Sequence, residues 1–177
     1  MFHQALYTSL VQNNKPMKIE LDLKKIGQIA KQKSAENISF QTYLKGQNAI
    51  RIDEIVHRLY KEFTIKISCV DCGNCCQNLR PIASYKELSK FVEDKDIEAF
   101  MYLESISCKF HKDKKCTDYS NRPEECRSYP NLDEDQFITK TYGALRNYEI
   151  CPIVFNVFEA LKVELDWDYQ LRMNTKK

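Results

Sequence analysis

At 177 residues and a net charge of +2, the chain has the length of one domain, and its charge is too balanced to announce a nucleic-acid partner. Hydrophobic residues make up 43% and charged residues 29%, values that exclude a disordered chain. No stretch approaches the roughly 20 apolar residues that span a bilayer, so no membrane partner is expected. Only 4 glycines leave no glycine-rich phosphate cradle.

Residues 1–17 carry no clear period, and Asn13-Asn14-Lys15-Pro16 reads as a loop. They also lack the basic stretch, apolar run and cleavage site of a signal peptide, so the cytoplasm is the expected compartment. From about Lys18 the pattern is helical, with Ile26, Ile29, Ala30, Phe40 and Leu44 on or near one face. The polar run Gln32 to Asn37 interrupts it, and Gly46 ends it. A second helix fits Ile52 to Phe63, where Ile52, Ile55, Val56, Leu59, Tyr60 and Phe63 form a stripe. Ile65-Lys66-Ile67 then alternates like a short extended segment.

Ser84-Tyr85-Lys86-Glu87 has the form of a capping box opening a helix with Leu88, Phe91 and Val92. Asp94 or Asp96 caps another, running through Leu103. Asn121 and Pro123 signal a short helix that carries Cys126 and Arg127 and stops before Pro130. Residues 133–149 read as a loop with a hairpin at Phe137 to Tyr142. Pro152 starts the most apolar helix, with Val154, Phe155, Phe158, Leu161 and Leu165 on its buried side.

The 8 cysteines fall into two groups. Cys69, Cys72, Cys75 and Cys76 lie within eight residues, the first three at the C-x2-C-x2-C spacing that lets sulfurs converge. Gly73 supplies the positive φ that such a knuckle needs. Cys108, Cys116, Cys126 and Cys151 follow. In a reducing compartment, clustered cysteines are more often metal ligands than disulfides. Soft thiolates select zinc or iron–sulfur clusters, and spacing does not decide between them. With four thiolates, either occupant leaves a site charge of about −2, which Arg80, Arg122 and Arg127 can offset as hydrogen-bond donors to sulfur. Arg122 and Arg127 can equally cap loop carbonyls or pair with Glu124 and Glu125. His111 stands three residues past Cys108 and reads either as a ligand or as an exposed loop histidine. Cys151 reads either as a ligand, its pKa lowered by the dipole of the helix that Pro152 opens, or as a small core residue. Tyr119, Tyr129 and Tyr142 read as packing around the site.

Cys-Val-Asp-Cys-Gly-Asn-Cys-Cys at 69–76, then Cys108-x7-Cys116 and Asn121-Arg-Pro-Glu-Glu-Cys-Arg-Ser-Tyr-Pro130, resemble the YkgJ-like cysteine-cluster family of zinc- or iron-chelating proteins. Its hallmark is CxxCxxCC followed by a C…C…RPxxCRxxP block, and the resemblance covers about residues 55–165. One departure from the family pattern is His111.

The expected fold is mainly α: a small irregular helical domain with a cysteine-ligated metal centre and long loops. Residues 1–50 form an N-terminal helical arm, 51–170 the cysteine-cluster metal-binding domain and 171–177 a polar tail. The cofactor expected is zinc or iron, the latter as an ion or a [4Fe–4S] cluster, held by Cys69, Cys72, Cys75, Cys76, Cys108, Cys116, Cys126 and Cys151. Three functions compete. The first is a module whose main property is chelation. The second is an Fe–S enzyme, which the resemblance raises because flagellin lysine-N-methylase shares a similar cluster, although no cosubstrate fingerprint or acid/base pair is visible here. The third is a zinc-stabilised protein or RNA interaction module, ranked lowest on charge.

Overall fold

The computed structural model describes residues 18–78, 86, 89, 108–113, 115–122 and 124–170. Ser84 and Glu87 of the expected capping box, the helix expected through Leu103, Arg80, Pro123, residues 1–17 and the 171–177 tail lie outside these. The described part is mainly helical, with one two-stranded sheet.

Helix α1 (Leu23–Gln32) begins where the Asp22 carboxylate accepts from the N–H groups of Lys24 and Lys25 at 2.9 and 3.2 Å. That satisfies two of the donors a helix start leaves unpaired. The chain breaks at Lys33 before α2 (Ser34–Leu44), inside the polar run that predicts an interruption. Asn48 caps α3 (Ala49–Lys66) by accepting from Arg51 N–H at 3.0 Å. Ile52, Val56, Leu59 and Phe63 are the buried face of α3, at the spacing the sequence shows. α3 runs on through Ile65 and Lys66, where the alternation suggests an extended segment. Ile65 is 79% exposed and Ile67, at the C-cap, is buried, so the apolar–polar–apolar triplet is a helix end.

The cysteine region consists of short pieces: α4 (Cys69–Cys72), α5 (Cys75–Asn78), the hairpin β1 (His111–Lys112) and β2 (Lys115–Cys116), a 3-10 turn at Tyr119–Asn121, and α6 (Glu124–Ser128). None of the residues in α4 or α5 is buried. The hairpin is antiparallel, with His111 opposite Cys116 and Lys112 opposite Lys115.

The hairpin predicted at Phe137 to Tyr142 is instead helical, as part of α7 (Phe137–Arg146). Phe137, Thr141 and Ala144 are its buried residues, a stripe of period 3.6 partly hidden by the polar Thr141. α7 has no side-chain cap of its own at Gln136. The Asp53 carboxylate, reaching over from α3, accepts from Gln136 N–H and Phe137 N–H, both at 2.9 Å.

Helix α8 (Pro152–Glu164) opens on proline and is buried on nearly every side. It packs chiefly against α3 and also meets α1. Phe158 stands at the centre, with ring centroids of Phe137, Tyr148 and Phe40 at 5.6, 5.9 and 6.4 Å. Burying a side chain of this size contributes roughly 1.5–3 kcal/mol. One core joins Ile26 and Phe40 from the first two helices to Val56, Phe63, Val154 and Phe158. Lys162, only 4% exposed, donates inside it to Asn37 Oδ1 at 2.6 Å and to the Glu36 and Glu159 carboxylates at 2.8 Å each. Among the described residues, no helix is long and apolar enough to cross a membrane.

Candidate metal centre

The knuckle is built by two helical turns joined at Gly73. The Gly73 N–H donates to Cys69 O at 3.3 Å, and its φ of 56° is the left-handed geometry that ends α4 and turns the chain back. Cys69 and Cys72, three apart, share one side of α4. Cys76 N–H donates to Gly73 O at 3.1 Å, starting α5 with Cys75 and Cys76 side by side.

Two links bring the later cysteines to this knuckle. Asn74 Nδ2 donates to the carbonyl of Ile150 at 2.7 Å, which holds Cys151 against α4 and α5. Cys108 N–H donates to the carbonyl of Cys76 at 3.4 Å, and Cys108 O accepts from His111 N–H at 2.9 Å, so the hairpin starts beside Cys76. The Lys115–Asp71 ion pair, at 3.1 Å, fastens the hairpin to α4. Both side chains are 62% exposed, so the pair guides docking more than it stabilises.

Cys69, Cys72, Cys75 and Cys151 line one cavity of about 20 Å³, closed by Ile67, Gly73, Tyr129, Ile150, Pro152 and Ile153. That is close to the space of one water-sized sphere. Its wall is apolar apart from the thiols and the Tyr129 hydroxyl. That hydroxyl is buried with no hydrogen-bond partner, and burial together with the neighbouring Cys151 and Cys75 sulfurs pushes its pKa up. The other four thiols, Cys76, Cys108, Cys116 and Cys126, lie near one another. The Cys126 thiol is pushed up to about 11 by burial and by the charges of Cys76, Cys108 and Cys116, whose sulfurs are near enough to act on it.

The Cys75 and Cys76 thiols are in contact. The hydrogen bond between them, with burial, pushes Cys75 up, and the same bond, helped by Arg122, brings Cys76 down to about 7. Burial pushes Cys69 and Cys108 up as well. Cys151 is buried and pushed up to about 12. The N–H groups of Val154 and Ile153 at the start of α8 pull it down, as a helix dipole does, but desolvation outweighs them. A cation bound among these thiols would favour their deprotonated form. The donor set therefore suits a thiophilic metal. All 8 cysteines are free thiols. Among the described residues, no three His, Cys, Asp or Glu side chains stand in a metal-holding arrangement.

Arg122 and Arg127 cap loop carbonyls, and Arg122 also acts on the thiols through its charge. Arg122 stacks over the Tyr119 ring, 3.4 Å from its centroid, and its Nε donates to Tyr119 O at 2.9 Å. Its positive field also lowers Cys69, Cys76 and Cys126. Arg127 Nε caps the carbonyl of Arg122 at 2.8 Å. His111 sits in the hairpin, not in an open loop. Its Nδ1 lies 3.3 Å from Gln77 Nε2, and its Nε2 is buried without a partner. Tyr142 is 69% exposed, whereas Tyr129 lines the thiol cavity. Sequence reading missed Asn74 and the Asp71–Lys115 pair, whose partners lie far along the chain. The only local hint was a polar amide beside Gly73 where the knuckle needs no side chain.

No curated protein and no solved structure matches the chain. Residues 68–151 match the family model described as "CxxCxxCC: Putative zinc- or iron-chelating domain", and all 8 cysteines fall inside that segment. Residues 68–151 are thus similar to the CxxCxxCC family, whose model is described as a zinc- or iron-chelating domain.

Proposed function

We propose that the protein is a metal-holding module in which cysteine thiolates bind zinc or iron, and that this chelation is its main biochemical property. The observation that carries the reading is the cavity lined by Cys69, Cys72, Cys75 and Cys151. Its four thiols are the number and type of donors that a tetrahedral zinc site takes. The reading also carries a location, the cytoplasm, where thiols stay reduced.

The test is anaerobic purification of the full chain, followed by elemental analysis and an absorption spectrum. A colourless protein with bound zinc is the expected result. A brown protein with acid-labile sulfide replaces zinc by an Fe–S cluster and revives the enzyme reading. A chain that holds neither metal after incubation with zinc, or with iron and sulfide, overturns the proposal.

A further inference from the structure

We infer that the eight thiols form two adjoining four-thiolate sites, Cys69/Cys72/Cys75/Cys151 and Cys76/Cys108/Cys116/Cys126, divided between the neighbours Cys75 and Cys76. The inference rests on the chelation reading above and adds the ligand sets and their number.

The first set rests on one observation: its four residues line the same cavity. Cys69 and Cys72 share a face of α4, Gly73 turns the chain so that Cys75 faces them, and the Asn74–Ile150 bond delivers Cys151. Cys76 is absent from that wall. The Cys76 thiol is hydrogen-bonded to that of Cys75, so this pair marks the boundary between the two sets.

The second set assembles around Cys76. Cys108 is hydrogen-bonded to its backbone, and Cys116 lies across the hairpin from His111. Directly opposite residues of an antiparallel pair project from the same face, so the His111 ring and the Cys116 thiol share one side. The Nε2 of His111 is buried with no hydrogen-bond partner among the described residues. It can donate to a ligating sulfur. Cys126 completes the set from α6, placed by the Arg127–Arg122 bond. Four thiols give up four protons to solvent for each divalent ion, leaving each site at about −2. Arg122 lies close enough to Cys69, Cys76 and Cys126 to offset charge from both sites.

Zinc is the probe, since four thiolates take it whatever the native occupant. The full chain is loaded with zinc, partly stripped with a chelator, alkylated with iodoacetamide and mapped by mass spectrometry, species by species. The expected result is two zinc ions per chain at saturation. Each one-zinc species should protect one complete set and leave the other alkylated. Saturation at one zinc overturns the partition, as does a one-zinc species protecting cysteines from both sets. A chain that binds no zinc or Fe–S cluster overturns the chelation reading itself. Cys151→Ser and Cys116→Ser should each lower capacity from two zinc ions to one, leaving the set they do not belong to protected. The wild-type mapping decides the matter if either variant fails to fold.

Discussion

The Asn74 side chain holds the main chain of Ile150 at 2.7 Å, fixing the residue before Cys151 against the turn between Cys72 and Cys75. Asn74→Ala should cost about 1 kcal/mol in denaturant unfolding, the worth of one hydrogen bond plus a carbonyl left unpaired. It should also weaken zinc binding, because Cys151 is then free to drift. Unchanged zinc affinity with lowered stability would show that the bond only holds the fold.

Metal removal should act locally. The core lies in α1, α2, α3, α7 and α8, whereas α4 and α5 bury nothing. The metal-free chain should keep most of its helical circular dichroism while residues 69–78 and 108–130 become open to protease. Structural zinc can contribute on the order of 10 kcal/mol of folding free energy, so the melting temperature should rise steeply on reloading. A protease pattern that ignores zinc would reject this.

Tyr129→Phe separates the metal-free from the loaded protein. Its hydroxyl is buried and unpaired, so its loss should leave the metal-free melting temperature equal or slightly higher. In the loaded protein that hydroxyl is placed to donate to the Cys151 thiolate. The variant should therefore bind zinc about 10-fold more weakly, as when other hydrogen-bond partners of metal ligands are removed. Competition titration against a chelator measures it.

The Lys33–Glu159–Lys162 network sets both pH limits. Burial pushes the Glu159 carboxyl up, but Lys162, Lys33 and Tyr148 together hold it below its ordinary 4.5. It binds a proton less readily folded than unfolded, so its stabilisation is present above pH 4.5 and is lost as pH falls below that value. Lys33 is pushed down by burial, but Glu159 and Glu36 win and raise it above 10.5, so its share is lost as pH rises past that value. Thermal unfolding should show a falling acid limb that Glu159→Gln flattens.

The main helices were legible because their signals are local. The α3 stripe, the break at Lys33 and Pro152 at the head of α8 each lie within one turn of the feature they mark. α7 was not, because its cap comes from Asp53 and its buried face includes a threonine among β-branched neighbours. The cysteines stood out by spacing alone. Their division was hidden, since it depends on where Cys108 and Cys151 dock, and those contacts run through backbone groups that any residue carries.

The Asp53 cap has a consequence for modularity. Residue 53 stands outside the 68–151 segment that defines the family match, yet it secures the first turn of a helix inside it. A fragment cut to the matched boundaries loses that anchor together with the α3 face on which α7 and α8 rest. The segment is a unit of sequence but not a unit of folding: the helices before it act as a jig, setting the loop between Cys126 and Cys151 in place.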